Sequence, residues 1–314
     1  MSNLVTGATG FVGSAVVRAL LARGDAVRVL VRRGSDRANL AGLDVEPVEG
    51  DLTDPASLAR AVAGCARVFH LAADYRIWVP DPQAMLAANV GGTTSLMLAA
   101  ADAGVSRIVY CSSVAALGLT KDGTPADETT EVSEATVVGT YKKSKFRAEQ
   151  AVLDLVRMRG LPAVIVNPAA PVGPRDIKPT PTGKMIADAA TGRMPAYVET
   201  GLNIVHVDDV AAGHLLAAER GMIGETETDV VHGDQAVIAD GQVDLFDLAL
   251  SREIADFDHW RVHRDDGRGH VRLELRLDRN PVAILNFRRL DRPGVAHRLA
   301  REERGDVVRH TRQQ

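Results

Sequence analysis

The sequence predicts an α/β protein built on a doubly wound, Rossmann-type parallel sheet, with a smaller C-terminal substrate lobe. Short apolar runs alternate with alanine- and leucine-rich helical stretches through about residue 215. A glycine-rich turn also separates the first apolar run from the first helix. Strands that alternate with helices at this spacing are joined by right-handed crossovers, which place helices on both faces of a parallel sheet.

Each element has its own local signal. The predicted strands are short and apolar: residues 3–6, 27–31, 45–48, 67–71, 107–112 and 163–167. The predicted helices cover 14–23, 56–63, 83–103 and 140–159. Gly24 ends the first helix, and Thr53 or Asp54 caps the second. A strand at 203–207 is expected to return to the sheet, and Asp208 opens another helix.

Proline content and charge divide the chain further. Six prolines interrupt 168–200, which is typical of an excursion from the sheet. We therefore assign 1–167 and 203–220 to a dinucleotide-binding domain, and 168–202 with 221–290 to a substrate lobe. Alternating apolar residues in 271–277 and a turn at 278–281 predict a hairpin with 282–287. The charge density of 291–314 is typical of a disordered tail.

Composition excludes several classes of function. A net charge of −4 gives no basic surface for nucleic acid. The two cysteines, Cys65 and Cys111, lie in apolar segments, which argues against a disulfide framework and for a reducing compartment. No run approaches the roughly 20 apolar residues of an integral membrane segment, and the first strand leaves no room for a signal peptide. We therefore expect a cytoplasmic protein with a small-molecule substrate.

The glycine-rich turn predicts a dinucleotide site. Glycines in the pattern G-x-x-G-x-x-G follow a strand and open a helix, so the backbone can approach a pyrophosphate at the helix N-terminus. The cofactor-binding residues expected here are Gly7, Thr9, Gly10, Phe11, Val12 and Gly13. The alternative is a tight turn that holds no ligand.

The end of the second strand indicates which cofactor is bound. An acidic residue for the ribose is usual at this point, but the chain has Arg32 and Arg33. Because a guanidinium can grip a 2′-phosphate, NADP is favoured, with NAD as the alternative. Solvated strand-end charges are the other interpretation of the two arginines. Asp51 and Leu52 are expected to flank the adenine, although Asp51 fits a helix-entry turn equally well.

Tyr141 and Lys145 are the candidate acid–base pair. Four residues is just over one helical turn, so the two side chains share a helix face. An ammonium at roughly 4 Å would favour the phenolate by about 4 kcal/mol at an effective dielectric of 20, which brings proton transfer within reach at neutral pH. Ser113 ends the fifth strand, where a ligand would lie, and is expected to bond the substrate oxygen; a helix cap is its alternative.

Other polar residues have structural interpretations. Ser112 is expected to face the cofactor or the turn. Asn89 fits either a backbone bond within its helix or a water of a proton relay. His70 and His206 fit satisfied core histidines. No His/Cys/Asp/Glu grouping has metal-ligand spacing, so we expect no metal.

These motifs together resemble the extended short-chain dehydrogenase/reductase family. Five of them occur in the family's order within residues 2–224: the glycine loop, His70–Ala73, Cys111–Ser113, Tyr141–Lys145 and Asn167–Pro168. The resemblance implies that Tyr141 is the general acid/base, that Lys145 lowers its pKa and binds the nicotinamide ribose, and that Ser113 holds the substrate. It also implies cofactor contacts at Leu71, Ala72, Ala73, Asn167 and Pro168. Homodimerisation through the Tyr141 helix is common in the family and is an option here.

Within that family the chain is similar to the dihydroflavonol-4-reductase-like branch, and segments 74–82 and 173–183 look like hopanoid-associated sugar epimerases. The activity implied is an NAD(P)(H)-dependent oxidoreductase or epimerase acting on a secondary alcohol or carbonyl, with a sugar-bearing hopanoid intermediate as one substrate. The alternatives are a simple NADPH-dependent ketone reductase and a non-catalytic NADP sensor. Lining residues expected for the substrate are Tyr75, Trp78, Arg175 and Lys178, for which ordinary loop packing is the alternative.

The C-terminal part departs from that family. Residues 225–314 contain no lysine and are dense in arginine, histidine and aspartate. This amino-acid composition is typical of GC-rich DNA translated out of frame, so we hypothesise a frameshift near residue 225. A divergent folded lobe is the alternative.

Overall fold

The computed structural model describes residues 2–76, 78–118, 126, 128–191, 193, 204–227, 260–264, 270–277 and 280–288. Its main layer is a parallel sheet of seven strands in the order β3-β2-β1-β4-β5-β6-β9. Those strands are β1 (Ser2–Thr6), β2 (Val27–Val31), β3 (Glu46–Glu49), β4 (Cys65–His70), β5 (Arg107–Cys111), β6 (Ala163–Val166) and β9 (Thr226–Glu227). The predicted doubly wound α/β fold is confirmed.

Helices lie along the connections between these strands. They are α1 (Phe11–Ala22), α2 (Pro55–Val62), α3 (Pro82–Leu86), α4 (Gly92–Asp102), α5 (Thr140–Arg159), α6 (Pro181–Ala190) and α7 (Val207–Arg220). A π-helical turn, Ala87–Gly91, joins α3 to α4. Asp54 caps α2 by accepting a hydrogen bond from the Ala56 amide, and Gly160 ends α5 in the left-handed conformation.

The sheet is buried on both faces because its strands alternate between two apolar clusters. Val5 faces a cluster that contains residues of α1 and α7, whereas Leu4 faces a cluster that contains residues of α2, α4 and α5. Both side chains have no exposed surface. Burial on two faces explains why the strands are near-continuous apolar runs.

The proline-rich excursion contains two elements that the sequence did not predict. Strand β7 (Ala170–Val172) pairs in parallel with β8 (Ile204–His206) in a separate two-stranded sheet. Helix α6 begins at Pro181, a residue that suits the first turn of a helix because no backbone donor is needed there. The expectation that 203–207 returns to the main sheet is therefore wrong. Helix α7 does return, packing against α1, β5 and β6.

One stretch corrects the expectation about membrane segments. The continuous helical stretch Pro82–Asp102 is long and apolar enough to cross a bilayer. Its apolar residues Leu96, Met97 and Ala100 have no exposed surface and belong to the cluster shared with α2 and α5. In all, 39% of its most apolar window is buried, so length and composition alone do not make the stretch a membrane span.

The chain divides into two units, Met1–Lys184 with Thr200–Leu248, and Met185–Glu199 with Ala249–Gln314. In the second unit β10 (Trp260–Arg264), β11 (His270–Leu277) and β12 (Asn280–Arg288) form an antiparallel sheet. The β11–β12 pair matches the predicted hairpin, while β10 was not predicted. The proposed domain limits stay a prediction, and the segment 291–314 lies outside the described residues.

Candidate active site

The residues expected to hold a dinucleotide all follow the carboxyl ends of neighbouring strands. The glycine loop follows β1, and the sheet order places the ends of β2 and β3 on one side of it and those of β4, β5 and β6 on the other. Ligands of open parallel sheets bind beyond these strand ends. The structure therefore brings the sequence-predicted cofactor residues to one edge of the sheet.

The glycine loop has room for backbone alone. Gly7 has a φ of 71°, and a Cβ there would lie 2.7 Å from the Ala72 nitrogen. A Cβ on Gly13 would overlap the Gly7 carbonyl oxygen. Gly10 is the N-cap of α1 and offers no side-chain cap, so first-turn amides are left for another acceptor. Backbone amides at a helix N-terminus, with no Cβ in the way, suit a pyrophosphate.

We call the glycine loop, residues 7–13, the glycine cradle. Its other residues hold its backbone in place. Phe11 is buried in the core, Val12 is partly buried against it, and the Thr9 carbonyl accepts a hydrogen bond from Asn39 Nδ2 at 3.2 Å. Asn39 Nδ2 also bonds the Arg175 carbonyl at 3.2 Å. The sequence carried no signal for this role of Asn39.

Arg32 and Arg33 line a cleft of about 570 Å³ beyond β2 and β3. Ser35, Asp51 and Arg60 also line this cleft. Arg33 pairs with Glu49 at 3.6 Å, but its side chain is 90% exposed, so the pair is weak. The cleft thus offers guanidinium groups to an anion.

Asp51 and Leu52 are occupied by local contacts. Asp51 Oδ1 accepts hydrogen bonds from the Thr53 amide at 2.9 Å and from the Thr53 hydroxyl at 2.7 Å. The Thr53 amide is the main reason that the pKa of Asp51 is lowered. Leu52 packs on Gly92, where a Cβ would lie 2.7 Å from that of Leu52. Asp51 therefore forms the helix-entry turn that was one of its two interpretations.

Tyr141 and Ser113 meet at the end of β5. Burial raises the pKa of Tyr141 to about 12, while a hydrogen bond with the Ser113 side chain opposes that rise. Ser113 Oγ also accepts a hydrogen bond from the Ala115 amide at 3.1 Å, so the serine is a cap as well. At neutral pH the phenol is protonated and held against a hydroxyl.

Lys145 lies on the same helix face and is only 5% exposed. Its Nζ donates to the Cys111 carbonyl at 2.8 Å and lies 5.4 Å from the centre of the Tyr110 ring. Burial lowers the pKa of Lys145. Lys145 is not among the groups that shift the pKa of Tyr141 in this arrangement, which differs from the expectation that it lowers that pKa.

Ser112 and Asn167 converge on Glu149, a residue that the sequence analysis did not single out. Ser112 Oγ donates to Glu149 Oε2 at 2.5 Å, and Asn167 Nδ2 donates to the same oxygen at 3.0 Å. Pro168 is buried beside them, and its carbonyl accepts from the Val114 amide at 3.1 Å. The spacing Tyr141, Lys145, Glu149 was a signal that could have identified the carboxylate.

Asn89 bonds the backbone of another segment and not that of its own helix. Its Oδ1 accepts from the Asp74 amide at 2.7 Å, and its Nδ2 donates to the Asp74 carbonyl at 2.8 Å and to Ser144 Oγ at 2.9 Å. It therefore ties the loop after β4 to helix α5. The sequence did not reveal these bonds because Asp74 and Ser144 are remote from Asn89 along the chain.

The two histidines are structural, as expected. His70 is fully buried between the Thr6 and Thr93 hydroxyls, at 2.7 and 2.9 Å. His206 caps α7 by accepting from the Asp208 amide at 3.2 Å. No group of three or more metal-binding side chains occurs in the part of the chain that the structure describes.

The expected substrate residues are only partly brought together. Tyr75 lies close enough to Asp176 for that carboxylate to help burial raise the phenol pKa. Lys178 is exposed on the same segment, and Trp78 is 78% exposed. The Arg175 guanidinium is paired with Asp208 on α7, and the backbone of Arg175 has a φ of 73°, which is unusual for a non-glycine residue.

Leu71, Ala72 and Ala73, which were expected to contact the cofactor, are partly buried beside the glycine loop.

Known proteins are similar to this chain in sequence and in fold. Residues 3–233 match the model of the NAD dependent epimerase/dehydratase family. A Synechocystis sp. protein named as a dihydroflavonol 4-reductase is 46% identical over 241 residues, covering 77% of this chain and 68% of its own. Sterol demethylase protein B of Methylococcus capsulatus is 45% identical over 72% of this chain and 68% of its own. The crystal structure of gox2253 is 67% identical, with a TM-score of 0.70, over 72% of this chain and 69% of its own.

The family match covers well over half of the chain and includes the ends of strands β1 to β6, which carry the candidate site. The glycine cradle, the Tyr141–Ser113 contact and the buried Lys145 lie within the matched residues. The chain belongs to the NAD-dependent epimerase/dehydratase family of extended short-chain dehydrogenase/reductases and is an NAD(P)-dependent oxidoreductase/epimerase.

Proposed function

We propose that the chain reduces a ketone to a secondary alcohol with NADPH, in a reaction that is reversible. The observation that carries this proposal is the Tyr141 phenol, whose pKa is raised to about 12 and which is held by Ser113. A phenol that keeps its proton at neutral pH is set up to donate it to a developing alkoxide. Relatives with reductase names support the same direction.

The residues at the sheet edge fit a nicotinamide dinucleotide. Gly7, Gly10 and Gly13 would hold the pyrophosphate on the amides of α1, because Gly7 and Gly13 let the loop backbone pack on Ala72 and on itself in a way that a Cβ would prevent. When bound, the cofactor supplies the hydride. Lys145 lies one turn after Tyr141, in reach of the strand end at Cys111, where the nicotinamide ribose is proposed to bind.

The protein's own groups handle the proton. Ser113 would donate or accept a hydrogen bond at the substrate oxygen and orient it toward Tyr141. Tyr141 would give its proton to that oxygen as the carbonyl carbon is reduced. In the oxidation direction the phenolate takes the proton back.

Arg32 and Arg33 support NADP over NAD. Both line the cleft beyond β2, where the adenosine ribose of a dinucleotide would lie. No acidic residue occupies the end of β2, while Asp51 is engaged by Thr53. A 2′-phosphate would therefore meet guanidinium groups.

A second candidate is an epimerase of a sugar-bearing intermediate, including one of hopanoid synthesis. The aromatic Tyr75 near Asp176, with Lys178 on the same segment, favours a polar ring as ligand. Such an enzyme would oxidise and reduce one carbon in a single turnover, using Tyr141 first as base and then as acid. A non-catalytic sensor of NADP is the third candidate, and the acid–base pair argues against it.

Absorbance at 340 nm distinguishes these functions. Ketones and sugar nucleotides are screened with NADPH and NADH, with Tyr141→Phe and the exposed Lys142→Ala as matched variants of one helix. Stoichiometric loss of NADPH supports the reductase, and product without net absorbance change supports the epimerase. Tyr141→Phe should lower kcat by a factor of about 10² to 10⁴ and leave NADPH affinity unchanged. Full activity of Tyr141→Phe would contradict the acid–base role of Tyr141, whereas NADPH binding without turnover of any ketone or sugar nucleotide by the wild type would favour the sensor.

We also propose an oligomeric state, a location and a domain division for this chain. The family resemblance supports a homodimer through helix α5, which analytical ultracentrifugation of Met158→Arg against wild type tests, since Met158 of α5 is 83% exposed. It also supports a cytoplasmic location. The division into a cofactor domain and a substrate lobe is tested by limited proteolysis, with cleavage expected between them.

A further inference from the structure

Glu149 is the third member of one stripe on helix α5. Tyr141, Lys145 and Glu149 are spaced by four residues, so they project from the same face. Glu149 is 5% exposed, although it carries a carboxylate. Buried carboxylates are costly unless they are paired or hydrogen-bonded, so this one needs a reason to be there.

Two residues at the ends of neighbouring strands bond this carboxylate. Ser112 follows β5 and donates to Glu149 Oε2 at 2.5 Å, while Asn167 follows β6 and donates to the same atom at 3.0 Å. Both donors are buried, at 4% and 0% exposure. Glu149 therefore joins the ends of two strands to helix α5.

The same network holds the backbone of Ser113. Asn167 Nδ2 also donates to the Ser113 carbonyl at 3.0 Å. On either side, the Ser112 amide bonds the Val166 carbonyl at 2.7 Å and the Val114 amide bonds the Pro168 carbonyl at 3.1 Å. The position of the Ser113 hydroxyl against Tyr141 thus depends on contacts that meet at Glu149.

Glu149 also lies one helical turn after Lys145 on the same face of α5, and both residues are buried. We propose that Glu149 is a positioning residue of the active site, which fixes Ser113 through Ser112 and Asn167 and serves as the buried countercharge of Lys145. This inference rests on the proposed function, in which Ser113, Tyr141 and Lys145 act on the substrate and cofactor. Glu149 itself does not touch the reacting atoms in this assignment.

Charge effects agree with the geometry. Burial raises the pKa of Glu149, and its bonds with Ser112 and Asn167, followed by the charge of Lys145, oppose that rise. In turn, Cys111 and Glu149 raise the pKa of Lys145 against the effect of burial. The other titratable groups around Lys145 and Glu149 are Tyr141 on α5, Tyr110 on β5, His70 on β4 and His214 on α7.

The first test needs neither substrate nor cofactor. Glu149→Gln keeps the shape of the side chain and removes its charge, and Asp154→Asn is the matched control, because Asp154 lies on the exposed side of the same helix. The pKa of Lys145 is followed by NMR in protein with labelled lysines, of which the chain has six, with Lys145→Met for assignment. Glu149→Gln should lower that pKa and Asp154→Asn should not. An unchanged pKa in Glu149→Gln overturns the countercharge.

The second test addresses Ser113. Amide hydrogen exchange of residues 112–116 should become about tenfold faster in Glu149→Gln and stay unchanged in Asp154→Asn, because a neutral amide oxygen accepts the bonds from Ser112 and Asn167 more weakly than a carboxylate does. Equal protection in wild type and Glu149→Gln overturns the positioning role. Ser112→Ala, which removes one oxygen atom, should act in the same direction and replaces Glu149→Gln if that variant does not fold.

Kinetics then link the network to the reaction. With a ketone from the NADPH screen, Glu149→Gln should lower kcat about tenfold, leave KM nearly unchanged, and move the alkaline limb of kcat to lower pH as Lys145 deprotonates earlier. An unchanged kcat overturns the catalytic relevance of the network. If no substrate is found, the proposed function fails, whereas the NMR and exchange measurements still decide the roles of Glu149.

Discussion

The proposed preference for NADP over NAD rests on Arg32 and Arg33. They follow β2 at the edge of the cleft that also contains Arg60, Glu49, Asp51 and Asp54. The carboxylates make that cleft mixed in charge, so its preference for a phosphate depends on how each is occupied. Asp51 is bonded by Thr53, and Glu49 is the partner of Arg33 at 3.6 Å. Arg32 is therefore the better placed of the two for a 2′-phosphate.

Replacing Arg32 by alanine should weaken NADPH binding about tenfold and leave NADH binding within twofold. A hydrogen bond between charged partners contributes about 1.5–3 kcal/mol, and solvent exposure reduces that value. Arg33→Ala should have a smaller effect, and Arg37→Ala, outside the cleft, should have none. Fluorescence titration with both cofactors measures these changes. Equal losses for NADPH and NADH would show that the arginine does not recognise the phosphate.

At the scale of elements, the glycine loop ties β1, α1 and the end of β4 together. Gly13 lies in the first turn of α1 directly over the Gly7 carbonyl, and Gly7 itself packs on Ala72. The helix N-terminus can thus approach the sheet edge more closely than any side chain would allow. Gly91, by contrast, has a helical φ of −62° and open space where a Cβ would be.

Gly13 and Gly91 allow a matched pair of substitutions. Gly13→Ala should destabilise the protein by about 1–3 kcal/mol, because a Cβ overlaps backbone that cannot move freely, and should abolish NADPH binding. Gly91→Ala should be neutral or stabilising by up to about 1 kcal/mol, because alanine is the better helix former. Urea unfolding and NADPH titration of both variants measure the difference. Wild-type binding by Gly13→Ala would contradict the cradle.

How much could be predicted from sequence differs between elements. Helix α5 was predicted with the same bounds that the structure has, and the glycine loop was recognised from its spacing and from its place between a strand and a helix. Strand β7 was not predicted because it has only three residues and one of them is Pro171. Helix α6 was not predicted because closely spaced prolines usually indicate that a segment is not helical. The partners of Lys145 and Asn89 could not be predicted, since each contact joins segments far apart in the chain.

A buried histidine links three elements and should make stability pH-dependent. His70 bonds Thr6 of β1 and Thr93 of α4 from the end of β4. Burial, followed by the charge of Lys145, lowers its pKa from 6.5 to about 3. The unfolded state therefore binds the proton more readily, so this stability is fully present above pH 6.5 and is lost as the pH falls toward 3.

We expect His70 to account for a loss of about 2 kcal/mol of unfolding free energy between pH 7.5 and pH 5. His70→Gln should be less stable than wild type at pH 7.5 but should lack that part of the pH dependence. Urea unfolding at both pH values measures it, with His214→Gln as the comparison, since burial lowers the pKa of His214 to about 4. An identical pH dependence in wild type and His70→Gln would mean that His70 is not the responsible group.

For the whole molecule, the decisive feature is where similarity to relatives stops. The family match ends at residue 233, and the 67% identity to gox2253 covers 72% of this chain and 69% of that one. Each chain is therefore left with an unmatched share of nearly three tenths. At such high identity, unmatched shares of similar size in the two chains are what a changed reading frame would leave. The absence of lysine from 225–314 points the same way.

We therefore predict that the DNA encoding residues from about 225 onward yields family-like sequence in another reading frame. Resequencing and translation in all three frames test this directly, and the repaired chain can then be purified beside the present one. Both should bind NADPH, because the glycine cradle and Arg32 precede the junction, but only the repaired chain should reduce a ketone at full rate. If no frame restores the similarity, the strands of 260–288 belong to a divergent lobe instead. That lobe should then resist limited proteolysis as a folded unit.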